Sequence, residues 1–201
     1  EYMPANLLFR YEDKQAVMDE GTLNGRLKKL IEDLVEASKA STGNIPVSLA
    51  PTDLNVLLSQ VCGEYQQRLE KQVLEPVLSL CEPGAAAMAD GRLLWRVLDN
   101  LMSNICKYAM PGTRVYLSTE AGEDGVRMVV KNISRYPLNI SADELTERFV
   151  RGDSSRSTEG SGLGLSIATS LMSLQGGGFR LTIDGDLFKV TLTLPAAGAE
   201  E

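Results

Sequence analysis

In Glu159-Gly-Ser-Gly-Leu-Gly-Leu-Ser-Ile-Ala-Thr-Ser-Leu171, alternating glycines lead into apolar residues at helical spacing. This pattern predicts a glycine-rich loop that runs directly into a helix N-terminus. Backbone N–H groups at such a junction converge on an anion, and glycine lets phosphate oxygens approach because it has no Cβ. Taken alone, the stretch leaves two interpretations open: a phosphate-binding loop, or a flexible turn before a packed helix.

The composition excludes several kinds of function. The 201-residue chain is 43% hydrophobic and 23% charged, which predicts a globular domain with a substantial core. A formal net charge of -7 argues against nucleic acid as a partner. Cys62, Cys81 and Cys106 lack metal-ligand spacing and are predicted to be small core residues. The chain contains no histidine, so metal or acid–base chemistry based on an imidazole of this chain is excluded.

The first part of the chain is predicted to be a tail followed by one long helix. Residues 1–22 show no clean periodicity and are interpreted as a tail or a remnant segment. From residue 23, apolar and small residues follow steps of four and three, which indicates a heptad seam. The seam consists of Leu23, Leu27, Leu30, Leu34, Ala37 and Ser41. It is typical of a coiled coil or helical bundle, and the alternative is a helix packed on its own domain. Gly43 is predicted to end the helix.

Residues 45–195 are predicted to form one α/β sandwich, with a mostly antiparallel sheet and helices on one face. A helix that starts after Thr52 or Asp53 shows one apolar face, and a second helix covers residues 90–107. Strands are predicted at 73–80, 113–119, 126–131, 179–183 and 187–194, with hairpin turns at 123–125 and 184–186. Pro76 places the first of these strands at a sheet edge or bulge. A short helix at 143–150 and a polar loop at 152–159 complete the domain.

Two asparagines on the helix at 90–107 point to ligand chemistry. Asn100 and Asn104 are four residues apart and therefore share one face of an otherwise apolar helix. Asparagine is unfavourable in helix interiors, so a pair on one face calls for a reason. Their amide oxygens suit a hard divalent cation that also binds nucleotide phosphates, and Lys107 and Tyr108 follow within a turn. The open alternative is that both amides are solvated or cap a neighbouring loop.

Three motifs in this order resemble the N, F and glycine boxes of sensor histidine kinases. They are Asn100-Leu-Met-Ser-Asn-Ile-Cys-Lys-Tyr108, Glu147-Arg-Phe-Val-Arg-Gly-Asp153 and Gly160-Ser-Gly-Leu-Gly-Leu165. Three ordered motifs are far more specific than any one of them. The runs Lys131-Asn-Ile-Ser134 and Pro137-Leu-Asn-Ile140 resemble Gram-positive, membrane-anchored members in particular. The resemblance covers the catalytic domain and implies the Bergerat ATP-binding fold shared with gyrase and chaperones.

The resemblance also implies roles for individual residues. Asn104 would bind Mg²⁺, Asn100 would assist at the phosphates, and Lys107 would contact phosphate. Tyr108 and Asn132 would line the adenine pocket. Phe149 would close over the nucleotide, and Arg151 would approach the γ-phosphate. The implied nucleotide-binding residues of the glycine box are Gly160, Ser161, Gly162, Leu163, Gly164 and Leu165. Among all of these, Asn100, Lys107 and Arg151 are the implied catalytic residues.

The chain departs from the family pattern in two places. The family usually has Asp-x-Gly-x-Gly after the central strand, whereas this chain has Asn132-Ile-Ser-Arg-Tyr136. Asn132 can still accept from the adenine amino group, but Ser134 and Tyr136 fill space near the base, so weakened ATP binding is predicted. The acceptor histidine of the first hairpin helix is missing from the chain. The chain is therefore expected not to phosphorylate itself, although it could phosphorylate a histidine on another polypeptide.

These observations lead to one preferred function and two alternatives. The preferred function is that of the ATP- and Mg²⁺-dependent catalytic domain of a sensor histidine kinase, preceded at 23–43 by part of the dimerisation hairpin. Expected partners are a response regulator and a dimerisation hairpin, with no nucleic acid or membrane contact. The chain is expected to be a cytoplasmic portion of a membrane-anchored parent and a monomer or weak homodimer. The alternatives are a degenerate nucleotide-sensing module without phosphotransfer, and an ATPase of the gyrase or chaperone type.

Overall fold

Four helices and seven strands are present in the residues that a computed structural model describes, namely 20–82, 84–122, 125–138, 145 and 162–198. In chain order they are α1 (Glu20–Ser41), β1 (Ala50–Asp53), α2 (Leu54–Lys71), β2 (Glu75–Ser79), β3 (Ala86–Ala89), α3 (Gly91–Tyr108), β4 (Arg114–Gly122), β5 (Gly125–Ile133), α4 (Gly164–Leu174), β6 (Gly178–Asp184) and β7 (Leu187–Leu194). The short helix predicted at 143–150 and the loop predicted at 152–159 lie outside the described residues, apart from position 145.

Five strands form the main sheet, in the order β2-β4-β5-β7-β6. The β2–β4 pair is parallel, and the other three pairs of this sheet are antiparallel. The sheet is therefore mostly antiparallel, as the sequence predicted. Both predicted hairpins are confirmed, because Gly122 pairs with Gly125 and Asp184 pairs with Leu187. β2 lies at an edge of the sheet, where Pro76 removes no hydrogen bond that the sheet needs.

A second, two-stranded sheet was not anticipated from the sequence. In it, β1 pairs antiparallel with β3, from Ala50 opposite Ala89 to Asp53 opposite Ala86. The segment that follows β7 also bonds to this small sheet, since the Met88 amide donates to the Pro195 carbonyl. Both strands are four residues long; β1 contains Pro51 and Asp53, and β3 has three alanines, all residue types with little strand propensity, so no local pattern indicates them.

Helices α2, α3 and α4 cover one face of the main sheet. The face predicted for α2 is the one that is buried, and it consists of Leu54, Leu57, Leu58, Val61, Tyr65 and Leu69. The corresponding face of α3 consists of Leu94, Val97, Leu98, Leu101, Met102 and Ile105. Asp53 caps α2 by accepting hydrogen bonds from the Asn55 and Val56 amides at 2.8 and 3.1 Å. The predicted sandwich is therefore confirmed.

Helix α1 has two different faces. Ala37 and Ala40 are buried, and α1 packs against α4, so its C-terminal half contacts the domain. Ala37 belongs to the predicted seam, whereas the described leucines of the seam are exposed: Leu27, Leu30 and Leu34 are 55%, 44% and 51% exposed. The leucines of the seam thus form an apolar surface that the described part of the domain does not cover. Gly43, with φ of +71°, ends the helix as predicted.

A cluster of ionised side chains joins α1 to α3. The Arg96 guanidinium donates to both carboxylate oxygens of Glu36 at 2.7–3.1 Å, to Asp33 at 3.3 Å and to Asp99 at 3.0 Å. The Tyr65 hydroxyl of α2 donates to Asp99 at 2.6 Å. Burial and this bond to Asp99 raise the pKa of Tyr65. One arginine therefore holds carboxylates of two helices together.

We expect Arg96→Glu to lower the free energy of unfolding by about 2 kcal/mol, because three carboxylates lose their common cation. The double variant Arg96→Glu with Glu36→Arg should recover a substantial part of this loss by reversing the bridge. Urea unfolding of both variants measures the effect. Equal stabilities of the single and double variants would show that the pairing itself contributes nothing.

Val73, two residues after the end of α2, has an unusual backbone conformation. Its φ of +56° lies in the left-handed region, which is unfavourable for a β-branched residue. The side chain is 64% exposed and has little packing to lose. We expect Val73→Gly to raise the free energy of unfolding by about 1 kcal/mol, because glycine suits this position after a helix. Thermal unfolding tests this, and an unchanged or lower melting temperature would contradict it.

Within the described part of the chain, no helix combines the length and the apolar character that crossing a bilayer requires.

Candidate functional site

The start of α3 is held by Asp90, which is buried. Its carboxylate caps the helix by accepting from the Arg92 and Leu93 amides, and it also accepts from the Ser48 amide at 2.9 Å and the Arg92 guanidinium at 2.9 Å. Burial alone would raise the pKa of Asp90, but the hydrogen bonds from these groups outweigh burial and lower the pKa to about 2. The Asp90 amide donates to Gln175 Oε1 at 2.8 Å, which ties this end of α3 to the end of α4.

Asn100 and Asn104 lie on one half-buried face of α3, as their spacing predicted. The Nδ2 group of Asn100 is buried and has no hydrogen-bond partner among the described residues. Most buried polar groups in native proteins have a partner, so this donor marks a place where a further acceptor fits. A neutral amide on a helix offers both a donor and an acceptor to such a ligand.

The N-terminus of α4 lies directly against these asparagines. A Cβ at Gly164, the first residue of α4, would lie 3.5 Å from Asn100 Oδ1 and 3.8 Å from Asn104 Nδ2. Among the described residues no side chain caps this helix, and Gly162 has φ of +70°, which favours glycine. The backbone amides of the first turn and the helix dipole therefore favour an anion beside Asn100.

The last turn of α3 is joined to the segment that follows β5. The Tyr108 carbonyl accepts from the Arg135 amide at 2.8 Å, and the Met110 amide donates to the Ile133 carbonyl at 2.9 Å. Lys107 and Tyr108 are both half-buried in this region. These bonds bring Tyr108 close in the fold to the segment Asn132–Tyr136, although the two are separated along the chain by the whole β4–β5 hairpin.

In the segment that departs from the family pattern, two polar side chains are buried. The Asn132 Nδ2 group donates to the Ile133 carbonyl at 3.1 Å, so the amide oxygen is the end that remains for a ligand. The Ser134 hydroxyl donates to the Tyr136 carbonyl at 2.8 Å, and its backbone amide donates to the Asp186 carbonyl at 2.7 Å. The serine is therefore held within its own turn.

The structure thus brings together some of the predicted site residues. Asn100, Asn104 and Gly164 are in contact, and Gly162 leads into the same junction. The Leu163 side chain is part of the core and that of Leu165 packs against it, so either residue could meet a ligand only through its backbone. The predicted residues Phe149, Arg151, Gly160 and Ser161 lie outside the described residues.

Sequence reasoning did not single out the residues that position α3 and α4. Asp90 was recognised only as the start of a helix, and Gln175 was not noticed. A signal was present in Asp90-Gly-Arg, because an aspartate just before a helix is a typical N-cap. No local pattern indicates that Gln175 reaches back to this cap across 85 positions of the chain.

The main sheet is covered on one face by helices. Helix α3, which carries the two asparagines, lies against the N-terminus of α4, which begins at a glycine. This arrangement defines a nucleotide-binding α/β sandwich. Residues 89–198 match the family model described as "Histidine kinase-, DNA gyrase B-, and HSP90-like ATPase". The chain belongs to this family, and it contains an ATP-binding catalytic domain of the histidine-kinase type.

Individual relatives agree with this assignment. The chain is 30% identical over 175 residues to sensor protein VanSC of Enterococcus gallinarum, covering 85% of this chain and 48% of that protein. The structure of full-length ShkA in complex with AMPPNP matches with a TM-score of 0.72 and 28% identity, over 86% of this chain and 36% of that one. Acinetobacter baumannii histidine kinase AdeS shares the fold, with a TM-score of 0.68 and 20% identity over 98% of this chain and 88% of that one. The chain spans about half the length of VanSC.

Proposed function

We propose that Mg-ATP binds where α3 meets the N-terminus of α4, and that the domain transfers the γ-phosphoryl group to a histidine on a helical hairpin. The observation that carries this placement is the Asn100 Nδ2 group beside Gly164, which is buried and has no partner in the described part of the chain. Leaving a buried donor unsatisfied costs about 1–3 kcal/mol, and a phosphate oxygen between the two helices satisfies it.

The phosphates are proposed to lie against the glycine box, residues Gly160 to Leu165. Support comes from the first turn of α4, which no side chain of the described residues caps and which begins at Gly164, beside Asn100. Lys107, one turn further along α3 than Asn104, supplies a positive charge near the same face. The glycines leave this surface free of side chains, so that backbone donors reach the phosphate oxygens.

Magnesium is proposed to be held by Asn104. An amide oxygen is a hard ligand, and magnesium commonly binds one or two protein groups together with phosphate oxygens and water. The donor set of α3 therefore fits this ion. Bound magnesium would offset the charge of the phosphate oxygens, while Asn104 would orient it beside the glycine box.

The base is proposed to lie between Tyr108 and Asn132. The hydrogen bond between the Tyr108 carbonyl and the Arg135 amide holds these two regions close together. The Asn132 amide oxygen accepts from the adenine amino group in this arrangement, whereas guanine presents a carbonyl there and is disfavoured. Because Ser134 and Tyr136 replace small residues of the family pattern, we expect ATP affinity weaker than low micromolar.

The transfer itself is proposed to use Arg151 and Phe149, as the family resemblance implies. Arg151 would stabilise negative charge on the transferred group, and Phe149 would close over the nucleotide. The acceptor histidine is proposed to lie on a dimerisation hairpin, from which a response regulator would take the phosphoryl group.

The domain boundaries proposed for the chain are a tail at 1–22, the second hairpin helix at 23–43 and the catalytic domain at 45–195. The exposed leucines of α1 support a hairpin role, because an apolar helix face normally packs against other helices. With only this helix of the hairpin assigned, we expect a monomer or weak homodimer.

Two measurements test the proposed function. Calorimetric titration with ATP, with Mg²⁺ and then with EDTA, should detect binding that requires the metal. Incubation with a separate histidine-containing hairpin polypeptide and γ-labelled ATP should produce an acid-labile label on the hairpin. Binding without labelling would assign the chain to nucleotide sensing alone, and absence of binding would overturn the proposal.

Gly164→Ala should separate binding from stability. The added Cβ makes only ordinary contacts of 3.5–3.9 Å with Asn100 and Asn104, and alanine favours a helix, so stability should be unchanged or higher by up to about 1 kcal/mol. The methyl group nevertheless occupies the surface proposed for phosphate, so Mg-ATP affinity should fall at least tenfold. Calorimetry and thermal unfolding of the same sample measure both effects. Unchanged affinity would contradict the placement of the phosphates.

A further inference from the structure

The outer face of the main sheet, opposite the nucleotide site, carries a group of basic side chains. Helices α2, α3 and α4 pack on the inner face, while alternate residues of the strands point outward. Four outward residues define what we term the outer-face basic patch: Arg127, Lys131, Arg180 and Lys189. Arg127 and Arg180 are exposed, and the two lysines are partly exposed.

Two of these cations face each other directly. Lys131 of β5 and Lys189 of β7 are register partners in adjacent antiparallel strands, which places their Cβ atoms about 5 Å apart. Like charges in this arrangement repel each other and weaken the sheet. The Lys131 ammonium lies 5.3 Å from the centre of the Tyr116 ring, which stabilises one cation only partly. Among the described residues, no salt bridge joins any of the four cations to a carboxylate.

The patch contrasts with the charge of the whole molecule. Its four cations and the neighbouring Glu120, which is paired in register with Arg127, amount to a formal charge of +3. Because the complete chain carries -7, the remainder carries -10. A cationic face on an otherwise acidic protein attracts anionic groups to that face and repels them elsewhere.

The shape of this surface favours an extended ligand. The patch borders an open depression of about 470 Å³ that runs across strands β4, β5, β7 and β6. Three threonines, Thr182, Thr191 and Thr193, supply hydroxyl donors along it. From strand spacings of about 4.8 Å and the register of the sheet, the Cα atoms of Arg127 and Arg180 lie roughly 12 Å apart. Because the depression crosses four strands, an extended ligand can contact both arginines and the threonines at the same time.

We propose that the outer-face basic patch docks an acidic segment of a partner protein. In an extended segment, carboxylates four residues apart are separated by roughly 13 Å, which matches the distance between the two arginines. Each threonine is the register partner of one cation, Thr182 of Lys189, Thr191 of Arg180 and Thr193 of Arg127, so the threonine hydroxyls can donate to further carboxylates or to the peptide backbone. Since α3 and α4 lie on the other face of the sheet, such a segment can bind while nucleotide is bound.

A binding experiment on the complete 201-residue chain tests this proposal. The probe is a fluorescein-labelled ten-residue peptide of alternating glutamate and alanine, followed by fluorescence anisotropy at low and high salt. We expect binding that weakens with salt and falls at least tenfold in Lys131→Glu/Lys189→Glu. The neutral variant Lys131→Gln/Lys189→Gln should fall less. A charge-matched control, Lys39→Glu/Lys71→Glu, changes two exposed lysines on helices and should bind like the wild type.

Several results would overturn the proposal. They are absence of peptide binding, equal weakening in the control variant, or tighter binding to tripolyphosphate or to vesicles containing phosphatidylglycerol than to the peptide. The latter two ligands would assign the patch to phosphate groups or to a lipid surface. Thermal unfolding of every variant establishes that it is folded. Because the readout does not involve ATP, failure here is distinguishable from failure of the proposed nucleotide site.

Discussion

Replacement of Asn100 by alanine is expected to weaken Mg-ATP binding by 10- to 100-fold without destabilising the unliganded chain. The Nδ2 group that is removed is buried and has no partner among the described residues, so its loss removes a desolvation cost rather than a hydrogen bond. In the nucleotide complex the same group is proposed to donate to a charged phosphate oxygen, and such bonds contribute about 1.5–3 kcal/mol. Calorimetry for affinity and urea unfolding for stability measure the two effects separately.

Asn55 provides the matched control, because it is an asparagine whose partners are known. Its side-chain Nδ2 group donates to the Cys81 carbonyl at 3.0 Å, and its Oδ1 atom accepts from the Thr119 hydroxyl. Asn55→Ala should therefore lower the free energy of unfolding by about 1–2 kcal/mol and leave nucleotide affinity unchanged. If Asn100→Ala instead resembled this control, losing stability but not affinity, Asn100 would be a structural residue.

Replacement of Asp90 by asparagine is expected to lower the free energy of unfolding by about 2 kcal/mol at pH 6. The pKa of Asp90 is about 2 in the folded chain, compared with the usual 3.8. A carboxyl group whose pKa is depressed by folding stabilises the native state above its unfolded pKa. That contribution is lost as the pH falls from about 4 toward 2. The difference between wild type and variant should therefore shrink to less than half at pH 2.5.

Urea unfolding at several pH values measures this dependence, and Asp53→Asn serves as control. Asp53 also caps a helix, but it is exposed and, among the described residues, accepts hydrogen bonds from two backbone amides. Replacement of an exposed capping aspartate by asparagine lowers the free energy of unfolding by about 1 kcal/mol or less. A stability difference for Asp90→Asn that stays constant down to pH 2.5 would show that the charge of Asp90 is not responsible.

The elements with strong periodicity were predictable from the sequence. The buried faces of α2 and α3 follow from their apolar spacing, and the hairpin turns follow from glycine between strand patterns. The paired strands β1 and β3 were missed because segments of four residues are too short to show such a pattern, and their pairing depends on residues far apart in the chain. The heptad seam of α1 was recognised, but it was not foreseen that Ala37 of the seam is buried together with Asp33 and Ala40 while the leucines of the seam stay exposed.

The candidate site shows the same division. The sequence alone determined which residues could carry ligand chemistry, because the spacing of Asn100 and Asn104 and the alternating glycines are local properties of the chain. Only the tertiary structure decided that Gly164 lies against both asparagines, that Asn100 has an unsatisfied donor there, and that Lys131 faces Lys189 on the opposite side of the sheet. The physical reason is that side-chain periodicity fixes the faces of single helices and strands, whereas contacts between distant elements depend on how all the faces pack together.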